Sequence, residues 1–80
     1  MQTIFVMVKC ELGETYKVAD QAAQSIEAVS EVHSTSGEYE LLMKCFLDDC
    51  VDIGHFVTEE IQRIPGVRDT FTIITFKAFT

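Results

Sequence analysis

Apolar positions recur along this chain with two periods, one of strands and one of helices. Residues 3 to 10, TIFVMVKC, are β-branched, aromatic and aliphatic, and they predict a first strand. Gly13 interrupts that run. ETYKVADQAAQSIEA then sets Val18, Ala22, Ile26 and Val29 at helical spacing, with Ala19 and Ala23 beside them, and predicts an amphipathic helix. EVHSTS and YELLMKCFL read as two strands joined at Gly37. DDCVDIGHFVTEEIQRI opens with acids suited to an N-cap and to the helix dipole. Its Ile53, Val57, Ile61 and Ile64, with Phe56 alongside, form a second apolar stripe, which Pro65-Gly66 ends. VRDTFTIITFKAF supplies the last strand, so the predicted order is βαββαβ.

A weak repeat supports that order. SIEAVSEVHST aligns with EIQRIPGVRDT, matching Ile26 with Ile61, Val29 with Ile64, Val32 with Val67 and Thr35 with Thr70. Two interleaved strand-helix-strand units form a four-stranded antiparallel sheet with both helices on one face, an α+β arrangement of the ferredoxin-like type with its first and third strands central. The strands, however, are apolar on both sides. Ile4, Val6 and Val8 back onto Phe5 and Met7; Leu41, Met43 and Cys45 onto Leu42 and Phe46; Phe71 and Ile73 onto Ile74 and Phe76. An antiparallel sheet with one wet face would alternate with polar residues. A second cover is therefore needed, and the expected one is another copy packed sheet to sheet. Strict alternation from Val32 and Val67, taken as helix-side, turns His33, Thr35, Thr70, Thr72, Ile74 and Phe76 toward that copy, together with Glu40, Leu42 and Lys44.

Eighty residues allow one small domain, residues 1–80, whose stability calls for supplement. A net charge of −7, with the six basic residues Lys9, Lys17, Lys44, Arg63, Arg68 and Lys77 scattered, argues against direct nucleic-acid binding. No apolar run approaches the ~20 residues of a membrane span, and the start lacks the character of a secretory signal. Cys10, Cys45 and Cys50 contain no Cys-x-x-Cys pair and read as buried or semi-buried thiols in a reducing cytoplasm, with neither metal nor cofactor implied.

Candidate chemistry is sparse. His33 and His55 belong to no cluster at ligand spacing, and His55 is expected to face solvent. Helix capping explains Asp48, Asp49 and Asp52. The corner Glu38-Tyr39-Glu40 is different, because Glu40 should stand beside apolar Leu42, where an unpaired carboxylate is costly. Lys44, a partner-chain group or a ligand ammonium could satisfy it.

The run Ser36-Gly37-Glu38-Tyr39-Glu40, followed later by Ile64-Pro65-Gly66-Val67 and Thr70-Phe71-Thr72, is similar to the effector-binding (RAM) domain of the Lrp/AsnC regulators, over essentially the whole chain. That family more often has Asp where Glu40 stands, and it usually carries a helix-turn-helix domain, which this sequence lacks. The resemblance implies a dimeric α/β barrel, dimers assembled into an octamer or decamer ring, and an amino acid or related effector held near the glycine turn. Its expected ligand-binding residues are Gly37, Tyr39, Glu40, Thr70 and Thr72. It further implies a non-enzymatic regulatory module, able to join a full-length regulator and without DNA contact of its own. The alternatives are a small dimeric enzyme of the cofactor-free monooxygenase or isomerase type, for which His33 and Glu40 are the only candidates, and an ACT-like amino-acid-binding domain.

Overall fold

A computed structural model describes residues 1–79. Six elements follow in the expected order: β1 (Gln2–Cys10), α1 (Thr15–Ser25), β2 (Val29–Ser34), β3 (Leu41–Leu47), α2 (Ile53–Phe56) and β4 (Val67–Ile74). The sheet is antiparallel with order β2-β3-β1-β4, which puts β1 and β3 at its centre. α2 continues without a break into a π-helical turn, Val57–Ile61.

The core lies between the helices and one sheet face. Ile4, Val6, Val8 and Cys10 of β1 and Leu41, Met43, Cys45 and Leu47 of β3 enclose it with Val18, Ala22, Ile26, Phe56, Val57, Ile61 and Ile64. In both central strands only alternate residues are buried, as a pleated sheet covered on one side requires.

Several boundaries differ from the sequence reading. α1 stops at Ser25, and Val29, expected on its apolar stripe, is the first residue of β2. Val29 is apolar because it pairs with Cys45 on the helix side of the sheet. The acids before α2 divide their work: Asp52 is the N-cap, its Oδ1 accepting from Gly54 N–H at 3.0 Å and His55 N–H at 3.5 Å, while Asp48 and Asp49 lie in the preceding loop. β4 ends at Ile74, so Phe76 stands beyond the sheet.

The main correction concerns which side β4 presents. Cys10 faces Val67 but Lys9 faces Asp69, so Arg68 is an extra, bulged residue. A bulge shifts the alternation by one. Thr70, Thr72 and Ile74 therefore pair with Val8, Val6 and Ile4 on the helix side, and not on the open face where strict alternation put them. Phe71 and Ile73, opposite Met7 and Phe5, take the open face instead. A second bulge in β2, at Ser30, keeps Val29 and Val32 both on the helix side and turns Glu31 and His33 outward, His33 as expected.

The consequence is an open face of Phe5, Met7, Leu42, Phe46, Phe71 and Ile73, with Phe71 54% and Ile73 40% exposed. Nothing in the described chain covers it.

One close approach locks α1 to the end of the second helical unit. Gly66 has φ +99°, and a Cβ there would lie 3.0 Å from Glu14 Cβ and 3.0 Å from Val18 Cγ2. Its carbonyl also accepts from Glu11 N–H at 2.7 Å. Gly13 has a similar φ of +78°, but open space around its missing Cβ. Gly66→Ala is accordingly expected to lower unfolding free energy by about 2–3 kcal/mol and Gly13→Ala by about 1 kcal/mol. Urea titrations of both variants check this; equal losses would mean that the packing of Gly66 on α1 contributes nothing.

Candidate functional site at the Gly37–Glu40 turn

The β2–β3 connection is built almost entirely by hydrogen bonds to main chain. Thr35 N–H donates to the Glu40 carbonyl at 2.9 Å, and Thr35 Oγ1 donates to the Tyr39 carbonyl at 2.7 Å. Gly37 takes φ +118°, a conformation side chains oppose, and leaves open space on its Cβ side. Glu40 N–H donates to the Val8 carbonyl at 3.0 Å, tying the turn to β1.

Glu40 is the centre of this corner. Its Oε1 accepts from Cys10 N–H at 2.6 Å, a part-buried contact across the sheet. Cys10 sits at the bulge, where β1 runs past the start of β3, so its amide has no ladder partner on that side. The carboxylate supplies one. Of the groups the sequence suggested for Glu40, Lys44 is not its partner; within the chain the Cys10 amide is. Lys44 instead lies 3.8 Å from Glu31, which also bonds His33 Nε2 at 2.8 Å, and the His33 hydrogen bond followed by Lys44 holds the Glu31 carboxyl below its usual range.

An aromatic pair flanks the turn. The rings of Tyr39 and Phe71 lie 6.3 Å apart, tilted by 38°, and Lys9 Nζ rests 5.7 Å from the Tyr39 ring centre. Lys9 lies outside the quoted motif, and Phe71 stands only between its two threonines. Both were reachable only through the register of β1 and β4, which the bulge resets.

The expected site residues do not all converge. Gly37, Tyr39 and Glu40 stand together. Thr70 and Thr72 lie on β4, two strand spacings or about 10 Å from β3, and on the opposite sheet face. Thr70 Oγ1 accepts from Gln62 Nε2 at 2.8 Å, and Thr72 lines a hollow between α2 and β4 with Asp52, Gly54 and Thr58. Within one chain, neither threonine reaches the turn.

The remaining chemistry is quiet. His33 and Glu40, the two candidates for an enzymatic reading, are engaged by different partners, Glu31 and Cys10 N–H. Burial, with the nearby Glu40 charge adding to it, pushes the Cys10 thiol up, against a lowering hydrogen bond from Thr15. Burial alone pushes Cys45 to about 11. Cys50, expected to be at least semi-buried, is exposed.

The profile of the Lrp/AsnC ligand binding domain matches residues 3–80. The chain belongs to that family. An uncharacterized HTH-type transcriptional regulator of Pyrococcus furiosus is 36% identical over 77 residues, covering 92% of this chain and 51% of the regulator. The leucine-responsive regulatory protein of Escherichia coli strain K12 is 28% identical over 92% of this chain and 46% of its own length. The chain thus spans about half the length of the curated relatives it matches. A crystal structure of a Thermus thermophilus protein, TTHA0845, superposes with a TM-score of 0.89 at 29% identity, over 100% of this chain and 99% of that one. The curated relatives are transcriptional regulators and the shared part is a ligand-binding domain, not an enzyme.

The Glu40–Cys10 contact makes a testable demand. Glu40→Ala leaves a part-buried amide without an acceptor and is expected to destabilise the fold by about 1–3 kcal/mol, whereas Glu40→Gln, which keeps an Oε1 acceptor, should cost less than about 1 kcal/mol. Thermal unfolding of the two variants separates them. Equal stability of Glu40→Ala and wild type would show that the carboxylate is not held by Cys10.

Proposed function

We infer that the protein is a ligand-sensing and assembly module of the Lrp/AsnC kind, which takes a small amino-acid-like effector at the Gly37–Glu40 turn and acts in regulation without contacting DNA itself. The observation that carries this reading is the turn's position at the margin of a sheet face that its own chain leaves uncovered. Chains packed sheet to sheet would bury Leu42, Phe46, Phe71 and Ile73 and bring a second subunit close to the turn. Dimers would then assemble further, into an octamer or decamer ring. Thr70 and Thr72 join such a site only if a neighbouring subunit contributes them.

An amino-acid effector agrees with the leucine response in the name of the Escherichia coli relative. It also agrees with the chemistry, since Glu40 uses one oxygen on Cys10 and keeps the other for an ammonium. With a net charge of −7 and scattered basic residues, any effect on DNA would pass through a second protein, such as a full-length regulator of the family in the same cytoplasm.

Two measurements test the reading. By analytical sedimentation, the wild type should be at least dimeric at micromolar concentration, and Leu42→Asp should dissociate or become insoluble, because pairing would bury an uncompensated charge. A monodisperse wild-type monomer would contradict the assembly. Calorimetry against the twenty amino acids should reveal a ligand whose affinity falls about ten- to a hundred-fold in Glu40→Gln, the loss of one charge-assisted hydrogen bond of about 1.5–3 kcal/mol. Binding of none, or equal binding by the variant, would leave the corner a structural turn.

A further inference from the structure

We propose that Lys9 is the anion-binding pole of the turn site: its ammonium takes the ligand's carboxylate while the free oxygen of Glu40 takes the ligand's ammonium. The inference rests on the sensing reading above and adds to it a residue outside the turn motif.

The charges around Lys9 are mismatched. Lys9 stands on the open-face row of the sheet with a carboxylate on either side, Glu40 at the head of β3 and Asp69 across from it on β4. Either could form an ion pair with it. Neither does, and Lys9 is in no ion pair among the described residues. Both acids are turned toward main-chain amides, Glu40 to Cys10 N–H at 2.6 Å and Asp69 to Thr70 N–H at 2.9 Å.

The ammonium rests instead on the Tyr39 ring, 5.7 Å from its centre. A cation on a ring face is held in place but keeps its hydrogens available on the other side. The half-buried stem of Lys9 adds to that placement. The turn thus carries a positioned cation beside a carboxylate with one oxygen to spare.

Those two poles match an α-amino acid, whose carboxylate and ammonium sit on one carbon. The Tyr39 ring, 6.3 Å from that of Phe71, adjoins them at the margin of the paired face and presents apolar surface on which an uncharged side chain can lie. The ligand class selected is therefore an α-amino acid with an apolar side chain, read at both charges.

Calorimetry on the intact assembly tests this with L-leucine, L-methionine and L-phenylalanine, each beside its α-carboxamide. Lys9→Met should weaken binding of the amino acid at least tenfold, with the neutral carboxamides bound equally by variant and wild type. Lys9→Arg should restore amino-acid affinity to within a few-fold. Amino acids bound equally by Lys9→Met and wild type would overturn the role of Lys9 and leave the sensing reading standing. A loss in Lys9→Met that extends to the carboxamides, or that Lys9→Arg does not repair, would mark Lys9 as structural and overturn it as well. If wild type binds none of the three while calorimetry finds no other amino acid, both readings fall together.

Discussion

A four-stranded sheet has two faces, and this chain carries helices enough for one. Everything else in the structure is arranged around that shortage. Ile4, Val6, Val8, Leu41, Met43 and Cys45 are essentially removed from water by α1, α2 and its π-helical extension. On the reverse side Phe46, Phe71 and Ile73 remain between 39% and 54% exposed, with Phe5, Met7 and Leu42 half-covered among them. Full burial of one such side chain is worth about 1.5–3 kcal/mol. A domain of this size has little stability to spare, so a contiguous apolar face is better explained as an interface than as tolerated surface.

The bulge opposite Cys10 is the local device that links this face to the turn. By displacing Arg68 from the ladder it moves Phe71 and Ile73 onto the open face and sends Thr70 and Thr72 to the helix side. On the other side of β1 the ladder with β3 ends at Val8 and Leu41, which leaves Cys10 N–H pointing past the head of β3, where the Glu40 side chain reaches it. One inserted residue thereby puts two large apolar side chains on the open face and removes the two threonines from the turn within the chain.

How far the fold was legible follows from the same physics. β1 and β3 were plain because TIFVMVKC and LLMKCFL are nearly unbroken runs of β-branched, aromatic and aliphatic residues. Asp52 was legible as part of an acidic cap. Val29 was misread because it lies three residues after Ile26, in line with the helical stripe, and no glycine or proline marks the end of α1. The π-helical turn leaves no trace in VTEEI, a pattern that an ordinary helix would share. The faces of β4 were inverted because Arg68 does not look like a bulge; only the pairing of Lys9 with Asp69 reveals it. At the site, Gly37, Tyr39 and Glu40 were visible as a motif. The partner of Glu40 was not, since it is a main-chain amide and carries no sequence signature, and Lys9 lies outside the motif altogether.

The central claim is that the second sheet face is covered by another copy in solution. Methyl NMR with a soluble paramagnetic probe reads this directly at Met7, Leu42 and Ile73, against Met43 and Ile61 as buried references. If the sheets pair, the methyls of Met7, Leu42 and Ile73 will be shielded almost as well as those references. Strong broadening at Leu42 and Ile73, with Met43 and Ile61 untouched, would mean that the face stays open and that the account is wrong.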